Sequence, residues 1–391
     1  MAAVALTLTI MATAQNLPMA EVVCGPLVQN VTETGFTVTW ITDIDAVAWV
    51  EVAPDDGTHF YARKREEFHD RRGYGVLPIG KIHHVEIDGL QPGTAYRYRL
   101  MSKGVISYDS HGGLGDVKYL RTRGSDVYKR KPFLVSTFKE EYDTLRFDIY
   151  NDIHGNDSLL NVLSSRRGDA PDFVLLNGDM TSHLTNHETI PEMYLKTLAD
   201  NLKGNVPLIA SRGNHECRGK DAIRWFDYFK TPTGAPYYSF SLGKFFFVVL
   251  DACEDKPDSD IEYCGLIRSE SYMERQEKWL RQTLESDECK NAQVRIAICH
   301  IPPVYNGWRG QVRLCEKIVP HLNKAGLDVM FSGHIHKWRV AESDGVQSNA
   351  KFPIICNPNL QRMEVKVCAK FIEVKTYDSD GINTHSHVLS L

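Results

Sequence analysis

The chain has 391 residues, of which 42% are hydrophobic and 24% are charged. This composition is typical of soluble globular proteins, and the length predicts two domains rather than one. The formal net charge of −5 argues against a surface that coats nucleic acid, so a charged ligand must be attracted by local groups.

The first twenty residues have the pattern of an export signal. The apolar stretch MAAVALTLTIMATAQ carries small residues just before Gln15, where a signal peptidase would cut. The stretch is too short to span a bilayer, and an ordinary apolar first strand is the alternative. We therefore expect residues 1–20 to be a leader and the protein to be exported to the periplasm or the medium, with a cytoplasmic location as the alternative.

Residues 21–123 have the pattern of an antiparallel β-sandwich. In GFTVTWITD, Phe36, Val38 and Trp40 alternate with threonines, as in a strand with one buried face. The segment LQPGTAYRYR, together with the early strand that carries Trp40, resembles a fibronectin type III module. The length of about one hundred residues matches such a sandwich. No catalytic group is recognisable in this module.

A polar, basic linker, RTRGSDVYKRKPF, leads into residues 124–391, where apolar strands alternate with helices. The predicted strands are LRFDIYND, DFVLLNGD, VPLIASRGNHE, KFFFVVLDA, VRIAICHIP and LDVMFSGHIH. The predicted helices are DSLLNVLSSRR, IPEMYLKTLADNLKG, SYMERQEKWLRQTLES and LCEKIVPHLNKAG. The alternation predicts an α/β domain, in which functional residues collect beyond the carboxyl ends of the strands.

Side chains that can bind metals follow five of these strands. They are Asp152, His154, Asp179, Asn214, His215, Glu216, His300, His334 and His336. Carboxylate and amide oxygens and imidazole nitrogens are ligands suited to zinc, iron or manganese. Because all of them stand at strand ends, we expect them to converge on a metal centre.

The order of these blocks, DxH, GD, GNHE, H and GHxH, resembles the calcineurin-like metallophosphoesterase family. A fibronectin-like module before such a domain is similar to the arrangement of the purple acid phosphatases. Two positions depart from those enzymes, since Ser182 stands where they have a tyrosine and His154 is kept where they lose it. The resemblance implies a four-layer α/β/β/α domain and a metal centre without a tyrosine ligand to iron.

The family pattern further implies two metal ions, with iron, zinc and manganese as open alternatives. One ion is assigned Asp152, His154, Asp179 and His336, and the other is assigned Asp179, Asn214, His300 and His334. A hydroxide between the two ions would attack phosphorus. His215 would donate a proton or hydrogen bond to the phosphoryl oxygen or the leaving group, and Glu216 would hold the imidazole in orientation.

The substrate is less legible. His183, Arg218, Tyr305 and Trp308 follow the ligand blocks and are weaker candidates for the pocket wall, with surface packing as the alternative for each. The predicted function is hydrolysis of a phosphorylated small molecule, most simply a monoester. A phosphodiesterase or nucleotide hydrolase on the same core is one alternative, and a non-catalytic surface-binding protein that uses the fibronectin-like module is another. No stable complex with nucleic acid and no transmembrane segment are expected.

Overall fold

The computed structural model describes residues 18–71, 74–111, 114–128, 132–166, 170–305 and 307–391. Residues 1–17, and with them most of the predicted leader, lie outside this range. None of the helices in the described part of the chain has the length and apolar character that crossing a bilayer requires.

The N-terminal module is built from strands that both precede and follow the predicted linker. Its strands are β1 (Val22–Gln29), β2 (Phe36–Pro54), β3 (Glu66–His69), β4 (Gly80–Ile87), β5 (Ala95–His111), β6 (Leu114–Gly124) and β7 (Phe133–Ser136). The first half of β2 pairs with β1 and β4, and its second half pairs with β3 and β5. The long strand β2 therefore joins the two layers of a sandwich, and Val38, Trp40 and Val50 are buried in its core.

The second part of the chain continues with strands and helices in alternation. Its strands are β8 (Thr144–Tyr150), β9 (Phe173–Asn177), β10 (Pro207–Ser211), β11 (Tyr238–Leu242), β12 (Phe245–Leu250), β13 (Val294–Cys299), β14 (Val329–Ser332), β15 (Arg339–Ala341), β16 (Ile354–Cys356), β17 (Arg362–Cys368), β18 (Phe371–Tyr377) and β19 (Asn383–Ser390). Its α-helices are α1 (Asp157–Ser165), α2 (Lys196–Leu202), α3 (Ser269–Leu284), α4 (Asp287–Asn291), α5 (Arg309–Lys317) and α6 (Val319–Ala325). A π-helical turn, Pro191–Leu195, runs directly into α2. Each predicted strand corresponds to one of these strands. Two predicted helices are divided, since residues 190–204 form the π-helical turn and α2, and residues 314–326 form the end of α5 and all of α6.

Two sheets pack face to face and are covered by helices on their outer faces. One sheet has the order β19-β18-β17-β8-β9-β10-β1-β2-β5-β6, and the other has the order β11-β12-β13-β14-β16-β15. Phe147 of the first sheet lies between the two, with its ring centroid 5.8 Å from those of Phe247 and Phe331 of the second. Leu160 of α1 belongs to a separate apolar cluster on one outer face, and Leu280 of α3 to another on the opposite outer face. The predicted α/β/β/α layering is confirmed.

The N-terminal module and the second part of the chain share a continuous sheet. Strand β1 pairs with β2 on one side and with β10, in parallel, on the other. Strand β7 lies beyond the domain boundary that the sequence predicts at residue 123, yet it pairs with β5 of the module. The exact boundary remains a prediction, but the chain returns to the module before it enters β8.

The exposure predicted for one face of β2 is wrong. The alternation predicts that its threonines face solvent, whereas Thr37 and Thr39 are buried. Thr39 contacts His84 and Gln29, and these two residues in turn bond to backbone carbonyls of the segment around Tyr228. The face is covered by residues almost two hundred positions away, which a local alternation pattern cannot report.

Candidate metal centre

The predicted ligands come together at one edge of the two sheets. Strands β8, β9 and β10 of the larger sheet and β13 and β14 of the smaller one end there, and each is followed by its predicted block. In the part of the chain that the structure describes, three overlapping groups of side chains have ligand atoms close enough to hold an ion. The groups are Asp152, His154 and His336, then Asp179, His300 and His334, and finally His154, Asp179 and His215.

The first group is organised around Asp152. Its Oδ1 atom lies 3.1 Å from Nε2 of His336 and 3.9 Å from Nε2 of His154, and the two imidazole nitrogens are 3.4 Å apart. Asp152 is buried, whereas the two histidines are partly exposed. A carboxylate at the base with two imidazoles toward the surface is an arrangement that suits a first-row metal ion.

The second group is organised around Asp179. Its Oδ2 atom lies 2.9 Å from Nε2 of His300, and Nδ1 of His334 lies 3.0 Å from Oδ1 of Asn214. Nε2 of His300 is also 3.8 Å from Oδ1 of Asp152, which brings the two groups into direct proximity. All seven predicted ligands therefore lie in one continuous cluster.

The backbone at these strand ends is held in an unusual conformation. Asp152, His154, Asp179, His334 and His336 all have φ between +51° and +68°. Few residues other than glycine adopt this left-handed region, and such strain concentrates at functional sites. The tight turns point several side chains from different strands toward one place.

Glycines beside the ligands allow the loops to approach each other. A Cβ atom at Gly213 would lie 2.2 Å from Oδ1 of Asp179, and one at Gly178 would lie 2.7 Å from the His300 ring. Neither position has room for a side chain, and Gly178 also has φ of +80°. The glycines of the GD and GN blocks are thus required by packing.

Hydrogen bonds select which atom of each ligand is free. Nδ1 of His300 donates to the carbonyl of Asn177 at 2.7 Å, so its Nε2 carries the lone pair when the ring is neutral. The Oδ1 atom of Asp179 accepts from the backbone N–H of His215 at 2.9 Å, which leaves Oδ2 for other partners. Such partners orient a metal ligand before the ion binds.

The cluster suits metal ions because two of its buried ligand atoms are not used in hydrogen bonds. Oδ1 of Asp152 and Nε2 of His300 are buried, and within the described residues neither makes a hydrogen bond. Their charged neighbours lie close without hydrogen-bond geometry, as groups do when they face a common ion. The donor set of carboxylate, amide and imidazole groups suits zinc, iron or manganese.

The electrostatics of the cluster favour a cation. Burial alone would lower the pKa of His300, but Asp179 and Asp152 together raise it to about 10. Positive charge at this position is therefore strongly stabilised. Burial lowers the pKa of His334 to about 4, with a further contribution from His300, so the His334 ring is neutral as a metal ligand must be.

His215 stands at the mouth of the cluster. Its Nδ1 donates to the carbonyl of Ser182 at 2.8 Å, which directs Nε2 toward Asp179, 3.9 Å from Oδ2. The His215 ring also meets the His154 ring edge to face, with the centroids 4.8 Å apart. A quarter of its side chain is exposed, so Nε2 can reach a bound molecule.

The role predicted for Glu216 is wrong. Glu216 is buried and does not hold the His215 imidazole, because both of its oxygens are taken by backbone N–H groups. It accepts from Asp179, Met180 and Thr181 at 2.9, 2.7 and 3.2 Å, and from Gly213 at 2.9 Å. Burial and the charge of Asp179 raise the pKa of Glu216 to about 7. The carboxylate clamps two ligand loops together, and the Ser182 carbonyl orients His215 instead.

The weaker substrate candidates divide into two kinds. Arg218 is nearly buried, and its Nε and Nη2 donate to the two carboxylate oxygens of Glu254 at 2.9 and 3.0 Å. Its Nη1 lies 3.5 Å from Nε2 of His215. The His183 ring packs edge to face against that of His215. Tyr305 and Trp308 are about half exposed. The structure therefore brings Arg218 and His183 against His215, whereas Tyr305 and Trp308 remain predictions.

One acidic residue near the cluster was not predicted from the sequence. Oδ2 of Asp255 lies 3.5 Å from Nε2 of His334, on the opposite side of the ring from Asn214. Tyr263 donates to its other oxygen at 3.3 Å. The signal was present, because the strand KFFFVVLDA also ends in polar residues, but no family block covers that strand end.

Two family models match the sequence. Residues 145–338 match the calcineurin-like phosphoesterase family, and residues 27–112 match the purple acid phosphatase N-terminal domain. Both matches agree with the resemblance drawn from the five sequence blocks, and the second identifies the N-terminal module by a different family than fibronectin type III.

Several curated proteins are similar in sequence. Purple acid phosphatase 15 of Arabidopsis thaliana is 25% identical over 66% of this chain, and purple acid phosphatase 23 of the same plant is 21% identical over 78%. Serine/threonine-protein phosphatase CPPED1 of Danio rerio is 25% identical over 48% of the chain. The matched region spans 49% of the first of these proteins, 72% of the second and 60% of the third.

Solved structures share the fold. Purple acid phosphatase PPD1 from yellow lupin (Lupinus luteus) superposes on 93% of this chain with a TM-score of 0.63, covering 74% of the lupin chain at 14% identity. A structure of PhoD gives 0.60 over 93% of this chain and 89% of its own, at 13% identity. Both comparisons include the N-terminal module and the second part of the chain together.

Proposed function

Because residues 145–338 belong to the calcineurin-like phosphoesterase family and follow a purple acid phosphatase N-terminal domain, we propose that this protein is a phosphomonoesterase that works with two metal ions. The observation that carries the proposal is the placement of Asp179. Its Oδ2 atom lies between His300 at 2.9 Å and His215 at 3.9 Å, at the centre of the ligand cluster.

The seven candidate ligands would divide as the family pattern implies. One ion would be held by Asp152, His154, Asp179 and His336, and the other by Asp179, Asn214, His300 and His334. When bound, the ions activate a water molecule as the nucleophile and neutralise charge on the phosphoryl oxygens. The protein's own side chains must then orient the ester and assist the departure of the leaving group.

His215 is the group that acts on the leaving side. Because the Ser182 carbonyl fixes Nδ1 as a donor, a protonated His215 presents Nε2–H to the substrate. That proton stabilises negative charge on the phosphoryl oxygen or on the departing oxygen. Arg218, with Nη1 3.5 Å from that nitrogen, offers a further N–H donor at the same place. Glu254 holds the other edge of the guanidinium and so limits its movement.

Monoester preference rests on the relatives. The curated proteins that match this chain are named as phosphatases, and the two ions and His215 provide cations for a doubly charged phosphate. A phosphodiesterase or nucleotide hydrolase on the same core is the second candidate, because the partly exposed His215 and His183 leave the mouth open. Secretion, suggested by residues 1–20, is part of the proposal. The complete ligand set speaks against a purely non-catalytic binding protein.

The test is a comparison of two chromogenic substrates. Protein reconstituted with manganese, zinc or iron is assayed with p-nitrophenyl phosphate and bis-p-nitrophenyl phosphate. We expect a higher kcat/KM for the monoester, and its loss in Asp179→Asn. A matched control is His321→Ala, since His321 pairs with Glu277 on a helix outside the cluster. Faster turnover of the diester would favour the second candidate, and no turnover of either with any metal would overturn the proposal.

A further inference from the structure

Two buried asparagines connect the metal cluster to a distant part of the chain. Asn151 precedes Asp152 at the end of β8, and Asn357 follows β16, more than two hundred residues later. Both are completely buried. Nδ2 of Asn357 donates to Oδ1 of Asn151 at 2.6 Å, and Nδ2 of Asn151 donates to Oδ2 of Asp152 at 2.6 Å. The three side chains form one directed chain of hydrogen bonds.

The orientation of both amides follows from the carboxylate. Ionised Asp152 can only accept hydrogen bonds, so Asn151 must turn its NH₂ group toward it and its oxygen away. That oxygen then requires a donor, which the NH₂ group of Asn357 supplies. The backbone carbonyl of Asn357 accepts a second bond from Asn151 at 3.2 Å. An aspartate at either position would place an acceptor against an acceptor.

This chain leaves one oxygen of Asp152 available. Oδ2 accepts from Asn151 and, at 2.9 Å, from the backbone N–H of His334. Oδ1 makes no hydrogen bond within the described residues and faces His336 at 3.1 Å. Gly333 makes this approach sterically feasible, since a Cβ there would lie 2.8 Å from Oδ2 of Asp152. Asp152 is thus prepared to bind through a single oxygen.

Asn357 also connects the two sheets at the cluster. The backbone N–H of Asn357 donates to the carbonyl of Ser332 at 2.9 Å, immediately before the GHxH block. Its side chain reaches β8 of the other sheet through Asn151. A buried amide with partners on both sheets can fix their spacing where ligands from both must meet.

We propose that Asn357 is a positioning residue that, through Asn151, sets Asp152 as a one-oxygen ligand for the ion it shares with His154 and His336. This inference rests on the proposed metal site. The side chain of Asn357 donates to Asn151, which in turn donates to Asp152, so a change of this side chain acts on the site through Asp152. Outer partners of this kind typically change metal affinity by about 10–100-fold.

The experiment measures metal affinity directly. The full chain is stripped of metal and titrated with Zn²⁺ against a chromophoric chelator, for wild type, Asn357→Ala, Asn151→Ala and the double variant. We expect Asn357→Ala to weaken one of two binding steps by about 10–100-fold and to leave the other unchanged. In the Asn151→Ala background, the second substitution should add little, because the connection to Asp152 is already broken.

Asn349→Ala is the matched control, because Asn349 donates to the Cys315 carbonyl at 2.7 Å on the helix side of the smaller sheet. Its zinc affinities should equal those of wild type. If Asn357→Ala does not fold, Asn357→Asp keeps the shape and removes the donor. Unchanged affinities in Asn357→Ala, equal weakening of both steps, or independent effects in the double variant would overturn the inference. Absent turnover with intact zinc binding would instead count only against the proposed function.

Discussion

The side chain of His215 can be separated experimentally from the metal ligands around it. Its Nδ1 is bound to the Ser182 carbonyl and its Nε2 faces the mouth of the cluster. We predict that His215→Ala keeps its metal content and loses about 10²–10⁴-fold in kcat, the range for a positioned acid–base group. The loss should be largest for alkyl phosphates, whose leaving groups need a proton, and smallest for nitrophenyl phosphates.

Steady-state rates over a series of leaving groups, with metal content measured in parallel, check this prediction. An equal loss on all substrates would place His215 on the non-bridging phosphoryl oxygens. Loss of metal from the variant would show that His215 is itself a ligand. His321→Ala again serves as the control histidine, because it lies on helix α6 in a pair with Glu277.

Asp179 is the residue on which both ions are predicted to depend. Its Oδ1 is occupied by the backbone N–H of His215, so the shared contact must use Oδ2. We predict that Asp179→Ala loses both ions, because two cations placed close together repel when the carboxylate between them is removed. Elemental analysis of the purified variant checks this, with the exposed Asp380→Ala as the control. Retention of both ions would contradict the bridging role.

The serine at position 182 leads to a prediction about the visible absorption of the iron-loaded protein. A serine stands where the purple enzymes have a tyrosine, and its Oγ lies 3.5 Å from Nδ1 of His154. Without a tyrosine oxygen on iron there is no ligand that gives an intense charge-transfer colour. We predict that the iron-loaded protein has no strong visible band, measured by absorption spectroscopy. A purple sample would show that another tyrosine reaches the ion.

The GD and GNHE loops behave as one unit because Glu216 accepts hydrogen bonds from both. Its carboxylate accepts four backbone N–H groups, three from the GD loop and one from Gly213. A glutamine has one acceptor oxygen instead of two and would meet N–H groups with an NH₂ group. We predict that Glu216→Gln lowers the free energy of unfolding by about 1–3 kcal/mol, the cost of leaving buried groups unpaired.

The effect on kcat distinguishes a Glu216 that links the two loops from a Glu216 that orients the His215 imidazole. A clamp on both loops affects every substrate alike, so kcat should fall by a similar factor for alkyl and nitrophenyl phosphates. Denaturant unfolding of the metal-free variant and the leaving-group series provide the two measurements. Glu274→Gln, at an exposed position of helix α3, is the control. A loss that grows with the leaving-group pKa would restore Glu216 as a partner of His215.

The strand ends were the predictable part of this molecule. Each ligand block follows a short apolar run, and the carboxyl ends of parallel strands in one sheet meet at one edge, so convergence of Asp152 and Asp179 could be expected without a structure. His300 follows a strand of the other sheet, and the packing of the two sheets brings it to this edge. The family pattern assigns Glu216 to orienting the His215 imidazole, but adjacent residues need not share a face. On the short 3₁₀ turn that carries both residues, Glu216 points into the protein and His215 points out.

Other contacts link residues that are far apart in the sequence. His385 stacks on Trp338 with the ring centroids 4.9 Å apart and bonds to Thr376. Strand β17 pairs with β8, which lies more than two hundred residues earlier in the chain, and β18 and β19 extend the larger sheet beyond β17. Asn357 gave no signal because a single buried asparagine has no periodicity and no motif. Partners so distant cannot be read from local patterns.

From the shared sheet we predict that the N-terminal module and the second part of the chain unfold together. Strand β1 is hydrogen-bonded to β10 as well as to β2, so removing the module uncovers an edge beside the metal-binding strands. The contacts of His84 and Gln29 with the segment around Tyr228 would be lost as well. We predict that a chain beginning at residue 124 aggregates, because β10 becomes an edge strand whose unpaired backbone groups can pair with other chains.

In the full-length protein, denaturation followed by tryptophan fluorescence and by release of bound metal should give coincident transitions, as expected for one cooperative unit. Trp40 in the module and Trp225 near the second part's outer helices make fluorescence sensitive to both regions, and metal release reports the strand ends alone. Two separated transitions, or a soluble truncated chain that binds metal with the affinity of the full chain, would show that β1 contributes little to the catalytic part. Coincidence would mean that the module acts as a structural extension of the sheet that holds Asp152, Asp179 and Asn214.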